Sequence, residues 1–149
     1  MDAALREAEK AFDAGEVPVG AVLVIESSIV AKGRNQVEQL SDPTAHAEIL
    51  AISAAASSLG TKRLESAVLY TTLEPCPMCS GAILHARLKQ VVFGAMDLKW
   101  GCASTLHHLL QDKRFNHQVP VIGGIRESES ETLLKSFFQR LRSGETNLN

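Results

Sequence analysis

The 149 residues are 45% hydrophobic and 21% charged with a formal net charge of −2, a balance that suits one folded domain and excludes a disordered or fibrous chain. No apolar run is long enough to cross a bilayer, and the opening Met1-Asp2-Ala3-Ala4-Leu5-Arg6-Glu7 is acidic and helical in character, not a basic stretch leading into an apolar one, so a cytoplasmic protein is expected. Three cysteines cannot all pair within the chain, and the Cys-x-x-Cys spacing of two of them suggests metal or redox chemistry over a structural disulfide.

Residues 3–14 repeat Ala3, Leu5, Ala8, Ala11 and Phe12 at helical spacing and stop at Gly15. The β-branched run 17–25 and the segment 29–31 predict a hairpin turning at Glu26-Ser27-Ser28, its first strand buried on both faces. A polar loop over 33–43 leads to an Ala-rich helix over 44–58. Then follow a strand over 67–72, a helix over 78–86, a strand over 91–94, a short helix over 105–110 and a fifth strand over 119–122. The last element is an amphipathic helix over 127–141 with Leu133, Leu134, Phe137, Phe138 and Leu141 on one broad face, one of the two phenylalanines turned inward.

After the hairpin, strands and helices alternate, so the later strands should run parallel, with helices on both faces of the sheet. The expected fold is a three-layer α/β/α domain on a five-stranded mixed sheet, filling residues 1–149 without repeat or linker. In such sheets, sites form where strands give way to helices, and both chemistry-bearing motifs fall at these junctions.

The first motif is Asp42-Pro43-Thr44-Ala45-His46-Ala47-Glu48. Residues two apart diverge in mid-helix, but at a helix start both side chains can turn toward the open end; Asp42, Pro43 and Thr44 are read as that start. The second is Glu74-Pro75-Cys76-Pro77-Met78-Cys79, where two prolines favour a helix start and thiols three apart project to one side. His46, Cys76 and Cys79 give zinc three protein ligands, the count of a catalytic site that keeps its fourth position for water. A structural site would want a fourth, and neither Cys102 nor His85 falls into a second paired spacing. Two thiolates cancel the charge of the ion, so the metal acidifies its water less and a nearby base becomes useful: Glu48 is read as the proton shuttle, not a ligand. Singly these residues are unremarkable; together they match the described His-x-Glu and Pro-Cys-x-x-Cys signature of zinc nucleobase deaminases.

At these residues the sequence resembles the cytidine-deaminase-like superfamily and, within it, the bacterial tRNA-specific adenosine deaminases. The resemblance runs over nearly the whole chain, through residues 16–23, 42–48, 73–82, 91–95 and Asn116-His117, with the segment Phe93-Gly94-Ala95-x-Asp97-x-Lys99-x-Gly101 and the Phe137-Phe138 helix pointing to the tRNA branch. It implies zinc-dependent hydrolysis of the wobble adenosine (position 34) of tRNA to inosine, one zinc per subunit held by His46, Cys76 and Cys79, Glu48 as catalytic residue, a homodimer, and RNA across its surface. It also implies substrate contacts from Asn35, the backbone of Ala47, Asp97, Lys99, Phe138 and Arg142. The chain departs from the family's pattern at Met96, Trp100 and Lys113-Arg114.

Charge alone is less decisive. Residues 1–58 hold four Lys/Arg against nine Asp/Glu, a net of −5, whereas residues 85–117 hold five against two, a net of +3. That basic window is either a phosphate path through Lys89, Lys99, Lys113 and Arg114 or an ordinary solvated face. Trp100, the only tryptophan, is either a platform for an extruded base or a packing or interface residue. Two further possibilities stay open: a deaminase of a free nucleobase or nucleotide of guanine or cytosine type, built on the same zinc site, and a non-catalytic protein with a structural zinc.

Overall fold

The computed structural model describes residues 1–145; the last four residues of the expected 1–149 domain lie outside them. In chain order the elements are α1 (Asp2–Asp13), β1 (Gly20–Ile25), β2 (Ser28–Arg34), α2 (Val37–Leu40), α3 (Ala47–Leu59), β3 (Val68–Leu73), α4 (Pro77–Ala86), β4 (Gln90–Ala95), a 3-10 turn (Leu109–Gln111), β5 (Val121–Ile122) and α5 (Glu127–Ser143).

The strands form one sheet in the order β2-β1-β3-β4-β5. β1 runs antiparallel to both β2 and β3, while β3, β4 and β5 are parallel, so the sheet is mixed as expected. The β1–β2 hairpin closes through Glu26 and Ser27, whose φ values of +48° and +68° give the two-residue turn whose twist matches paired strands. Ala21, Val22 and Leu23 of β1 are buried, consistent with a strand covered on both faces.

Helices α3 and α4 pack together, as do α1 and α5. On the first pair, Ala51, Ile52, Ala55, Ile83 and Ala86 join Leu23, Leu69, Val91 and Phe93 of the strands in the main core. On the second, the Phe12 ring meets that of Phe137 edge-on at 6.1 Å, and the Arg140 guanidinium lies 4.5 Å over the ring of Phe12. Phe137 is buried and its neighbour Phe138 exposed, so one phenylalanine of the pair turns inward.

Two close approaches matter here, one of α3 on the sheet and one of the loop at 101 on Glu74. At Gly33 in β2 a methyl group would fall on the Ala47 carbonyl and 2.8 Å from the Ala51 amide nitrogen, so the first turns of α3 lie directly on strand backbone. At Gly101 a methyl would sit 2.5 Å from the Glu74 carboxylate.

Three local expectations are corrected. The loop at 33–43 contains the end of β2 and the one-turn helix α2, because the buried carboxylate of Glu16 accepts the backbone N–H groups of Glu38 (3.2 Å) and Gln39 (2.7 Å) and caps that turn from 22 residues away. Helix α3 begins at Ala47, not Thr44: Asp42 Oδ1 accepts both the N–H and the hydroxyl of Thr44, holding residues 42–44 in a tight turn, and His46 becomes the residue that precedes the helix. The expected helix at 105–110 is only a 3-10 turn at its far end, since the N–H groups of Ala103, Ser104 and Thr105 all donate to the Glu74 side chain.

Candidate active site

The site is built at two helix starts that face each other across the ends of β1 and β3. His46 immediately precedes α3 in extended conformation and Glu48 lies in its first turn. Cys76 immediately precedes α4, also extended; Pro77 opens that helix and Cys79 follows one turn later, its N–H donating to the Cys76 sulfur at 3.5 Å. Both helices present the positive end of their dipole to the site, an environment that favours thiolate and carboxylate.

His46 Nδ1 lies 3.6 Å from Cys76 Sγ and 3.5 Å from Cys79 Sγ. Tetrahedral zinc with sulfur at about 2.3 Å and nitrogen at about 2.05 Å separates nitrogen from sulfur by about 3.6 Å. The three donor atoms all lie within 4.8 Å of one another, so spacing and donor chemistry both fit zinc. Without an ion the three groups divide protons among themselves. The Cys76 thiol is pulled down to about 4, chiefly by the hydrogen bond from the Cys79 thiol, while that bond and burial push Cys79 upward. His46 is raised, mostly through its hydrogen bond with Cys76, with help from the charge of Glu48. A divalent cation replaces those protons, as metal binding at thiols and imidazole does.

Glu48 stands beside this cluster rather than in it. Its side chain is buried, with Oε2 3.6 Å from Cys79 Sγ and Oε1 accepting the Thr71 hydroxyl at 3.2 Å. Burial dominates its titration and raises it above the ordinary glutamate range.

His46, Glu48 and Cys76 line a cavity of about 580 Å³, together with Asn35, Ala47, Asp97 and Trp100 among others. Thus the structure brings Asn35, Ala47 and Asp97 to the same cavity as His46, Glu48 and Cys76. Asn35 is nearly buried and its amide donates to Glu16 Oε2 at 3.5 Å, which orients it. Asp97 Oδ1 accepts the N–H groups of Lys99 (3.0 Å) and Trp100 (3.1 Å), so Lys99 sits on an exposed turn at the cavity mouth without lining it. Phe138 and Arg142 are exposed on α5, the helix that packs on α1 and β4, and do not line the cavity.

The basic window does not form one patch on the chain. Lys89 precedes β4, about 20 Å of strand from the cavity end. Lys113 and Arg114 lie in the connection into β5, which pairs with the start of β4, and Arg114 is ion-paired with Asp112 at 2.6 Å.

Two functional residues had no role assigned from sequence. Glu74, 1% exposed, accepts N–H donors from Asp97 (3.2 Å), Ala103 (3.2 Å), Ser104 (2.9 Å) and Thr105 (3.0 Å), and the Thr105 hydroxyl as well. Burial would raise its carboxyl, but the bonds from Thr105, Ser104 and Asp97 outweigh this and hold it below the ordinary range. Glu16 plays the matching part for Asn35 and α2. A carboxylate next to Pro-Cys-x-x-Cys, too close to the metal motif to be an idle surface group, was the available signal for Glu74.

The family model for MafB19-like deaminases matches residues 1–142. A "tRNA-specific adenosine deaminase" of Bacillus subtilis is 53% identical over 142 residues, covering 95% of this chain and 88% of the relative. The chain belongs to the tRNA-specific adenosine deaminase family. A second family member, from Aquifex aeolicus, is 48% identical over 96% of this chain and 94% of its own length. A solved structure from a study of A-to-I editing by tRNA:A34 deaminases superposes with a TM-score of 0.87 at 42% identity, covering 90% of this chain and 97% of that one. Its fold is the α/β/α arrangement described above.

Proposed function

We propose that this chain is a zinc-dependent hydrolase that converts adenosine to inosine at wobble position 34 of tRNA, acting in the cytoplasm as a single-domain subunit of a homodimer. One observation carries the reading: an imidazole and two thiols at zinc spacing, with a buried carboxylate beside them, at the floor of a cavity that a base can enter. The family relatives named for this reaction support it.

His46, Cys76 and Cys79 would hold one zinc ion. Zinc, when bound, supplies a Lewis acid with an open fourth position that makes water a stronger acid. The proton traffic belongs to Glu48. With its carboxyl raised by burial, Glu48 can take one proton of the water at Oε2 as its oxygen adds to C6 of the purine, pass it to the ring nitrogen N1, and then carry the proton of the new C6 hydroxyl to the departing amine, so that adenosine and water become inosine and ammonia. The Thr71 hydroxyl keeps Oε1 occupied and leaves Oε2 facing the site. Asn35, held by Glu16, offers its remaining amide atoms to the nucleoside, and the unpaired N–H of Ala47 at the start of α3 suits an acceptor on the base. Asp97, Lys99, Phe138 and Arg142 would serve the surrounding RNA, Lys99 as a phosphate partner.

The test is direct. Zinc-loaded protein incubated with an anticodon stem-loop bearing adenosine at 34 should yield inosine, read by nuclease digestion and mass spectrometry. If every such RNA is left intact while free guanine or cytosine is deaminated, the chain is a small-molecule deaminase instead.

A further inference from the structure

We infer that Trp100 is the stacking platform of this site: its indole takes the face of a base next to the target adenosine and sets how tightly RNA is held. The inference rests on the tRNA reading above and adds a specificity-determining residue to it.

Trp100 lines the cavity that holds His46, Glu48 and Cys76, and is the only Phe, Tyr or Trp to do so. The residue is nevertheless 64% exposed, so it packs little against its own chain. A large ring left open at a cavity mouth is suited to the face of an unstacked base.

The ring is also carried on a rigid mount. Asp97 Oδ1 accepts the N–H of Trp100 at 3.1 Å, and the Asp97 carbonyl accepts that of Gly101 at 3.0 Å. Glu74 in turn clamps the segment from Asp97 to Thr105 at both ends. Less ordering of the loop is therefore left to be done when a ligand arrives.

The charge around the cavity favours stacking over ionic attraction. Its ionisable lining residues besides His46, Cys76 and the buried Glu16, Glu48 and Glu74 are Glu38 and Asp97, both acidic. A polyanion gains no phosphate contact from this acidic lining itself, so contact with the bases has to add to what a cation outside it can supply. The cation beside it, Lys99, lies outside the lining.

Because Trp100 is the only tryptophan of the chain, its own emission reports the contact. Zinc-loaded Glu48→Ala protein, which leaves the RNA unconverted, is titrated with an adenosine-34 stem-loop; emission should be quenched saturably, with the Kd measured by anisotropy of labelled RNA. An abasic site on one side of the target should abolish the quenching; quenching that survives abasic sites on both sides overturns the assignment. Emission that responds to protein dilution and not to RNA puts the ring between two copies of the chain, and also overturns it. In turnover, Trp100→Ala should raise KM roughly five- to a hundred-fold with kcat within about twofold, and Trp100→Phe should restore most of the loss. An unchanged KM in a zinc-replete, folded Trp100→Ala protein overturns the inference while leaving tRNA deamination intact. Wild type that edits no RNA sinks the tRNA reading separately, and the quenching arm still decides the stacking.

Discussion

Two buried glutamates near one cavity, Glu48 and Glu74, titrate in opposite directions. Both side chains are nearly hidden, at 4% and 1% exposure. Glu48 has the Thr71 hydroxyl and the Cys79 thiol as partners, and burial raises it. Glu74 accepts four backbone N–H groups and a hydroxyl, and these lower it. The difference is one of solvation by protein: a carboxylate saturated with donors is a structural anion, whereas one left short of donors is poised to take and release a proton.

The largest effect should come from removing the ion beside which Glu48 works. Chelation of zinc, or Cys79→Ser, is expected to abolish deamination and to lower the melting temperature, with metal content followed by elemental analysis. Unchanged turnover in metal-free protein would break the scheme at its base.

Next comes the contrast between the two glutamates. Glu48→Gln should cut kcat by about 10²- to 10⁴-fold while zinc stays bound and the melting temperature does not fall, since no charge then has to be buried. A loss below tenfold would remove Glu48 as proton carrier. Glu74→Ala should do the reverse: it strands one buried and three part-buried N–H donors and should destabilise the fold by about 3 kcal/mol, measured by urea unfolding.

The pH dependence separates them further. The Glu74 carboxyl is lower in the folded chain than its ordinary value of 4.5, so its stabilisation is complete above that pH and is lost as the pH falls through the lower folded value. Wild type should therefore lose stability in that acid range more steeply than Glu74→Gln; parallel curves would refute the clamp. The smallest expected effect is that of Thr71→Val, which removes the hydroxyl that orients Glu48 and should cost about 1 kcal/mol of transition-state stabilisation, with Thr71→Ser recovering most of it.

The grouping of His46, Cys76 and Cys79 with Glu48 beside them was legible in the sequence because zinc chemistry constrains residue type and short spacing together, and helix starts are marked by proline locally. The strands and their parallel order followed from β-branched runs separated by helical periods. What escaped was set by contacts far apart in the chain. No local pattern announces that Glu16 caps a turn 22 residues later or that Glu74 captures the amides of 103–105 and so prevents the helix expected there. Nor does a charge count by segment reveal geometry: Lys89 and Lys99 are ten residues apart in sequence and lie beyond opposite ends of β4.

The bare backbone at Gly33 has a practical consequence for anyone who would redesign this enzyme. Because α3 rests on strand main chain with no side chain between, the height of its first turn is fixed like a shim of zero thickness. Even a methyl at that position has to push α3 and β2 apart, and any shift of α3 carries His46 and Glu48 away from the two sulfurs. The exposed side chains of Leu98, Lys99 and Trp100 carry no such constraint, so diversity introduced there, with Asp97 kept as the anchor of the turn, should retune which nucleic acids are accepted while leaving the machinery beneath in register.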